Sequence, residues 1–129
     1  MKRGLLFGSL LILLAGCNPT EKLLIRTWKL QDVDFNVADF NLTPAEKPLM
    51  VQQMRDSCLF DFKKDHTYSA RLTGITDTGT WKLNKAGDSI YTKVGLRLTA
   101  AKIKVLNESR FEVDVPSGNN AIKFVLVPR

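Results

Sequence analysis

The sequence predicts an all-β fold: an eight-stranded antiparallel up-and-down β-barrel with one short helix between strands one and two. Three observations carry that expectation. Apolar and polar residues alternate with a period of two through most of 25–127. The alternating runs are short and separated by turn residues, which makes neighbouring strands antiparallel. The one long stretch without alternation, 34–57, falls between the first strand and the second.

Strands are expected near 25–35, 58–64, 67–74, 78–84, 88–95, 98–106, 109–115 and 121–127. Trp28-Lys29-Leu30 opens the series, and Phe60-Asp61-Phe62, Tyr68 to Leu72 and Trp81-Lys82-Leu83 continue it. Ile103-Lys104-Val105, Phe111 to Val115 and Ile122-Lys123-Phe124 complete the pattern, each with one buried and one wet face. Turn chemistry separates them at Lys64-Asp65-His66, Gly74 to Asp77, Lys85 to Asp88, Asn107-Glu108-Ser109 and Pro116 to Asn120. Eight short strands must hide their edges, and closure into a barrel does so completely. A two-sheet sandwich is the competing arrangement, but its crossovers need longer separators than those after residue 64.

Within 34–57, Thr43-Pro44-Ala45-Glu46 reads as a capping box with Pro44 at the first helical position. Pro48 would then clash with the carbonyl of Pro44, so a start near Pro48 is the alternative. In either register Leu49, Met50, Gln53 and Met54 fall on one side of a short amphipathic helix. A connection this long is often a lid or a binding loop. The helix is expected at the barrel mouth, as a fixed plug or as a mobile lid.

The first sixteen residues have the anatomy of a secretory signal: Lys2 and Arg3, an apolar run from Leu5 to Leu14, then Ala15-Gly16. The ten-residue run is half of the ~20 that span a bilayer. Leu14-Ala15-Gly16-Cys17 resembles the lipobox of bacterial lipoproteins. The resemblance implies cleavage before Cys17 and lipidation of its thiol, with a diacylglyceryl group and a further chain such as palmitate. Residues 1–16 are thus read as signal peptide, 17–21 as lipidated tether and 22–129 as the barrel domain. Two or more chains anchor stably where one is marginal. The expected location is the cell envelope, on the outer membrane in preference to another, facing the periplasm or the surface.

Cleavage leaves 113 residues, one domain's worth, and removal of Lys2 and Arg3 lowers the formal charge from +6 to +4. Lys63-Lys64 is the only adjacent basic pair after the signal, so no stripe suited to nucleic acid is present. Attraction to anionic lipid or glycan is a milder expectation. With Cys17 lipidated, Cys58 has no disulfide partner, and its apolar phase beside Phe60 and Phe62 marks a buried thiol. A monomer is expected.

Thr-Trp-Lys-Leu occurs twice, at 27–30 and 80–83, the second after Gly79. Between and beyond these lie Phe60-Asp61-Phe62, Asp65 to Tyr68, Ile103 to Leu106 and Arg110 to Val113. This order resembles the small bacterial lipocalin-like domain lipoproteins, over nearly all of 22–127. Arg26 stands where that family usually has Gly, and His66 where a turn Gly is usual. The resemblance implies an eight-stranded lipocalin-like barrel with an interior for a small apolar molecule, and it carries no catalytic residue.

The alternation itself places Trp28, Leu30, Phe60, Phe62, Tyr68, Leu72, Trp81, Leu83 and Ile90 on one phase. Ile103, Val105, Phe111, Val113, Ile122, Phe124 and Leu126 continue that phase. If it faces inward, the candidate binding residues are Trp28, Phe60, Phe62, Tyr68, Leu72, Trp81, Phe111 and Phe124, with Leu49, Met50 and Met54 from the helix. Tyr68 is the clearest polar handle, Thr92 and Cys58 minor ones. So many rings in a narrow barrel leave little empty volume.

Catalytic chemistry is thin. His66 is the only histidine and lies in a turn, which excludes a His-based triad or a multi-histidine metal site. Asp61, Glu112 and Asp114 read as solvated outward charge, and Asp32, Asp34 and Asp39 as at most a weak cation site at the mouth. No enzyme, metal or cofactor is expected. Three roles are compatible with these residues: a carrier of a small hydrophobic ligand, a solid-cored module that contacts an envelope protein or glycan, and an inhibitor of a secreted hydrolase. The net charge of +4 argues against a basic target such as lysozyme for the last.

Overall fold

Eight strands close on themselves in sequence order in the computed structural model, which describes residues 18–129. They are β1 (Thr27–Asp34), β2 (Leu59–Phe62), β3 (Thr67–Leu72), β4 (Ile75–Leu83), β5 (Ser89–Val94), β6 (Arg97–Leu106), β7 (Phe111–Ser117) and β8 (Asn120–Pro128). Every neighbouring pair is antiparallel, and β1 closes the barrel on β8 from Trp28↔Pro128 to Asp34↔Lys123. The lipidation expected at Cys17 and the signal expected over 1–16 lie outside the described residues.

The up-and-down path puts the β2–β3, β4–β5 and β6–β7 turns at one end. A short helix, α1 (Pro19–Leu24), closes that end. Asn18 caps it by accepting the Thr20 N–H at 2.9 Å, and Pro19 occupies the first turn, where its missing N–H costs nothing. The helix touches the turns beneath it: Glu21 meets His66 Nε2 at 2.5 Å, and Thr20 lies against Gly87. Residues 19–21, expected as tether, therefore belong to the folded domain. Leu24 is fully buried and its carbonyl accepts the Trp28 indole N–H at 3.1 Å.

The 35–58 connection occupies the other end. A 3-10 turn (Val37–Phe40) leads to α2 (Lys47–Ser57), which has Pro48 in its first turn. Of the two starts the sequence allows, the later one forms. The Thr43–Glu46 contact survives as a local turn, in which Glu46 Oε1 accepts the Thr43 N–H at 2.9 Å. The face predicted for this helix is corrected: Val51 is the buried residue, Met50 and Met54 are half-buried, and Leu49 and Gln53 are exposed. The cause is β2. It has only four residues and pairs with β1 only at Thr27–Lys29, so α2 packs against the two flanking strands, β1 and β3.

Two register shifts change which residues face inward. After the irregularity at Leu30/Asp32, Val33 pairs with Phe124 and is buried with Phe35, so the inward phase of β1 moves by one residue. The second, at Ile103/Val105, overturns an expectation. Val105 pairs with the outward Glu112, while Leu106 pairs with Phe111 and packs on the core.

Candidate functional site

The lower barrel is filled with rings. Trp28 and Phe111 lie 5.3 Å apart, and Phe62 stands edge-on to Trp81 at 5.7 Å and to Phe111 at 6.1 Å. Offset and edge geometries suit the quadrupoles of these rings. Both indole N–H groups are satisfied, Trp28 by Leu24 and Trp81 by the Lys63 carbonyl at 3.0 Å. Below this floor, His66 takes positive φ (67°) and stacks on Trp81 at 4.7 Å. Arg26 lies over Trp28 at 5.2 Å and donates to the Glu108 carbonyl at 3.1 Å.

Above the floor is a cavity of about 90 Å³. Phe60, Phe62, Tyr68, Phe111 and Phe124 line it, as the sequence predicts, together with Ile90, Val113 and Leu126. Its polar atoms come from Tyr68, Thr92 and Thr99. Burial, with the nearby Asp77 charge, pushes the Tyr68 hydroxyl up to about 12. Tyr68 therefore stays a neutral hydrogen-bond donor at any physiological pH.

The remaining predicted residues lie elsewhere. Trp28 and Trp81 are fully buried in the floor, not the cavity lining. Leu72 is at the rim, 37% exposed where the β3–β4 hairpin turns, and Leu49 faces solvent at 67%. Met50 and Met54 pack on the core without lining the cavity. Thr99, Ala101 and Val115 also line the cavity, beyond the residues that the sequence places on the inward phase. For Thr99 and Ala101 the hydrophobic signal is inverted, since Leu98 points outward at 72% exposure while Thr99 points in. The two-residue Gly95-Leu96 turn was the available signal, because it forces Thr92 opposite Thr99.

Two carboxylates at the mouth are engaged in local contacts. Asp34 pairs with Lys47 at 2.5 Å, which holds its carboxyl below the usual range, and Asp39 accepts from Asn120 at 2.9 Å. Among the described residues no three His, Cys, Asp or Glu side chains gather as metal ligands. Glu112, expected as solvated charge, is 7% exposed and bridges Arg110 and Lys123; bonds from Lys123 and Arg110 lower its carboxyl. Cys58 is buried as expected, and burial raises its thiol.

Two solved structures share this architecture. One is a lipocalin-like protein from Bacteroides uniformis ATCC 8492, with TM-score 0.56 and 16% identity over 83% of this chain and 99% of that one. The other is a DUF4847 family protein from Bacteroides vulgatus ATCC 8482, with TM-score 0.59 and 14% identity over 85% of this chain and 96% of that one. The likeness is one of fold. No family model and no curated protein matches the sequence. The lipocalin-like barrel expected from sequence is thus the fold of this chain, and the competing sandwich is excluded by closure.

Proposed function

We propose that this protein is an envelope lipoprotein whose lipocalin-like barrel binds a small apolar ligand. The carrying observation is the preformed cavity, walled by Phe60, Phe62, Phe111 and Phe124 and given a neutral phenol donor by Tyr68 beside the hydroxyls of Thr92 and Thr99. Its ~90 Å³ sets the size class. An engineered apolar cavity of about 150 Å³ takes benzene, so this interior suits a molecule of only a few heavy atoms. A long acyl chain would have to displace side chains in a close-packed interior. The anchor reading rests on Lys2 to Cys17, and the same reading makes the protein a monomeric, non-enzymatic binder held at the membrane by lipid. No described helix is long and apolar enough to cross a membrane.

Native mass spectrometry of the protein extracted from envelopes tests both parts. The expected spectrum carries a diacylglyceryl mass on Cys17 and a dissociable small adduct. In Val113→Phe, which fills the cavity, the adduct is lost. An unmodified Cys17 removes the anchor; an adduct that persists in Val113→Phe removes the interior site.

A second reading, a solid-cored interaction module, is favoured by the open-end rim. Ile75, Leu96 and Leu98 are 67%, 100% and 72% exposed there, on two adjacent hairpins. Large contiguous exposed apolar patches mark interaction sites. Affinity capture that recovers one envelope partner, lost in Leu96→Ser/Leu98→Ser, would favour it over the carrier.

A further inference from the structure

On the outer wall, far apart in sequence, four cations converge. Lys29 comes from β1, Arg55 from the last turn of α2, Arg71 from β3, and Arg129 from the segment after β8. Lys29 stands opposite Leu59, and Leu59 opposite Arg71, so the first and third cations share one face two strands apart, about 10 Å between backbones. Arg129 is fixed beside them by its N–H bond to the Thr27 carbonyl at 3.1 Å. Together they bound a groove of about 710 Å³ with Leu59 between them, and Asp56 is its single acidic side chain among the described residues.

The neighbouring groove shows what this one lacks. There Lys47 is paired with Asp34, and Arg110 and Lys123 with Glu112. Among the described residues Lys29, Arg55, Arg71 and Arg129 form no ion pair within 4.0 Å, and their side chains donate no hydrogen bond. Even with the α-carboxylate that a chain ending at Arg129 adds, the lining keeps an excess of two positive charges. Unpaired cations held this close repel one another and attract an anion.

We propose that this groove binds a phosphate-bearing ligand. A carboxylate brings one charge, whereas a phosphomonoester brings about −1.5 to −2 and three acceptor oxygens. Guanidinium forks match that geometry in pairs, and three of the four cations are arginines. Leu59 between the cations suits an apolar group attached to the phosphate. The site is independent of the interior cavity and stands or falls separately from it.

The test is an amide-shift titration of the isotopically labelled full chain in a nonionic detergent. Probes are inorganic phosphate and dihexanoyl phosphatidic acid, with acetate at matched ionic strength. Saturable shifts are expected at Ser57, Leu59, Arg71 and Gly74, with acetate weaker. Affinity should fall about tenfold in Arg55→Gln and again in Arg71→Gln, and should hold in Lys102→Gln. Tighter binding of the short-chain lipid assigns a phospholipid headgroup; equal binding assigns a soluble phosphate. Both arginines are exposed, so melting temperatures are expected to hold, and Lys29→Gln supplies the reading if one does not. Shifts that do not saturate, that spread evenly over exposed lysines, or that are unchanged in the variants overturn the proposal.

Discussion

The indole N–H of Trp28 donates to the carbonyl of Leu24 at 3.1 Å, so the helix that closes the barrel is tied to the ring that forms its floor. Both residues are fully buried, and Phe111 packs against the same indole. Floor and cap are therefore one unit. Trp28→Ala should cost about 3–5 kcal/mol, from lost burial and the void left behind. Trp28→Phe, which orphans the Leu24 carbonyl, should cost about 1–3 kcal/mol. Urea denaturation measures both, and a Trp28→Phe loss under about 0.5 kcal/mol would show that the hydrogen bond contributes little.

Gly79 is a contact requirement, not a flexible position. A Cβ there would lie 1.9 Å from the Lys93 carbonyl oxygen, which is backbone and cannot swing away. Gly79→Ala should force β4 from β5 and destabilise by about 3 kcal/mol. A loss under about 0.5 kcal/mol in the same denaturation assay would contradict the close approach.

Tyr68 should ionise late. Burial and the Asp77 charge raise its pKa from 10.0 to about 12, so the folded protein keeps the proton after the unfolded chain has released it. That contribution to stability is complete below pH 10 and is lost as pH rises to about 12. In Tyr91→Phe, which leaves Tyr68 as the only tyrosine, phenolate absorbance should rise near pH 12. A transition near pH 10 would mean that water reaches the hydroxyl.

Glu112 works in the opposite direction. Lys123 and Arg110 lower its carboxyl below 4.5, so its contribution is present above pH 4.5 and fades as pH falls through the lowered value. Glu112→Gln should cost about 1 kcal/mol at pH 7 and flatten the acid limb of the stability curve. Parallel acid limbs in the two proteins would show that folding does not stabilise the carboxylate.

These sites differ in how openly the sequence announces them. Phe60, Phe62, Phe111 and Phe124 each have a charged residue beside them in a period-two run, and that period is enough to place them inside. Val33 and Val105 defeat the same rule because each follows a register shift, and a one-residue shift exchanges the faces. Thr99 defeats it by chemistry, since a leucine beside it takes the wet face. The α1 helix is too short for any period to register. Its signature was nonetheless present in Asn18-Pro19-Thr20-Glu21, a capping residue, a first-turn proline and an early acid. The cation groove was invisible because residues 29, 55, 71 and 129 meet only through strand pairing, helix packing and barrel closure.

Crystals held under xenon pressure test the interior most directly. Xenon is apolar, small and electron-dense, and one site is expected, enclosed by Phe60, Tyr68, Val113 and Phe124 above the Trp28–Phe111 floor. A chamber empty of xenon and packed with side chains or hydrogen-bonded water would contradict the small-ligand reading and leave the rim leucines as the working surface.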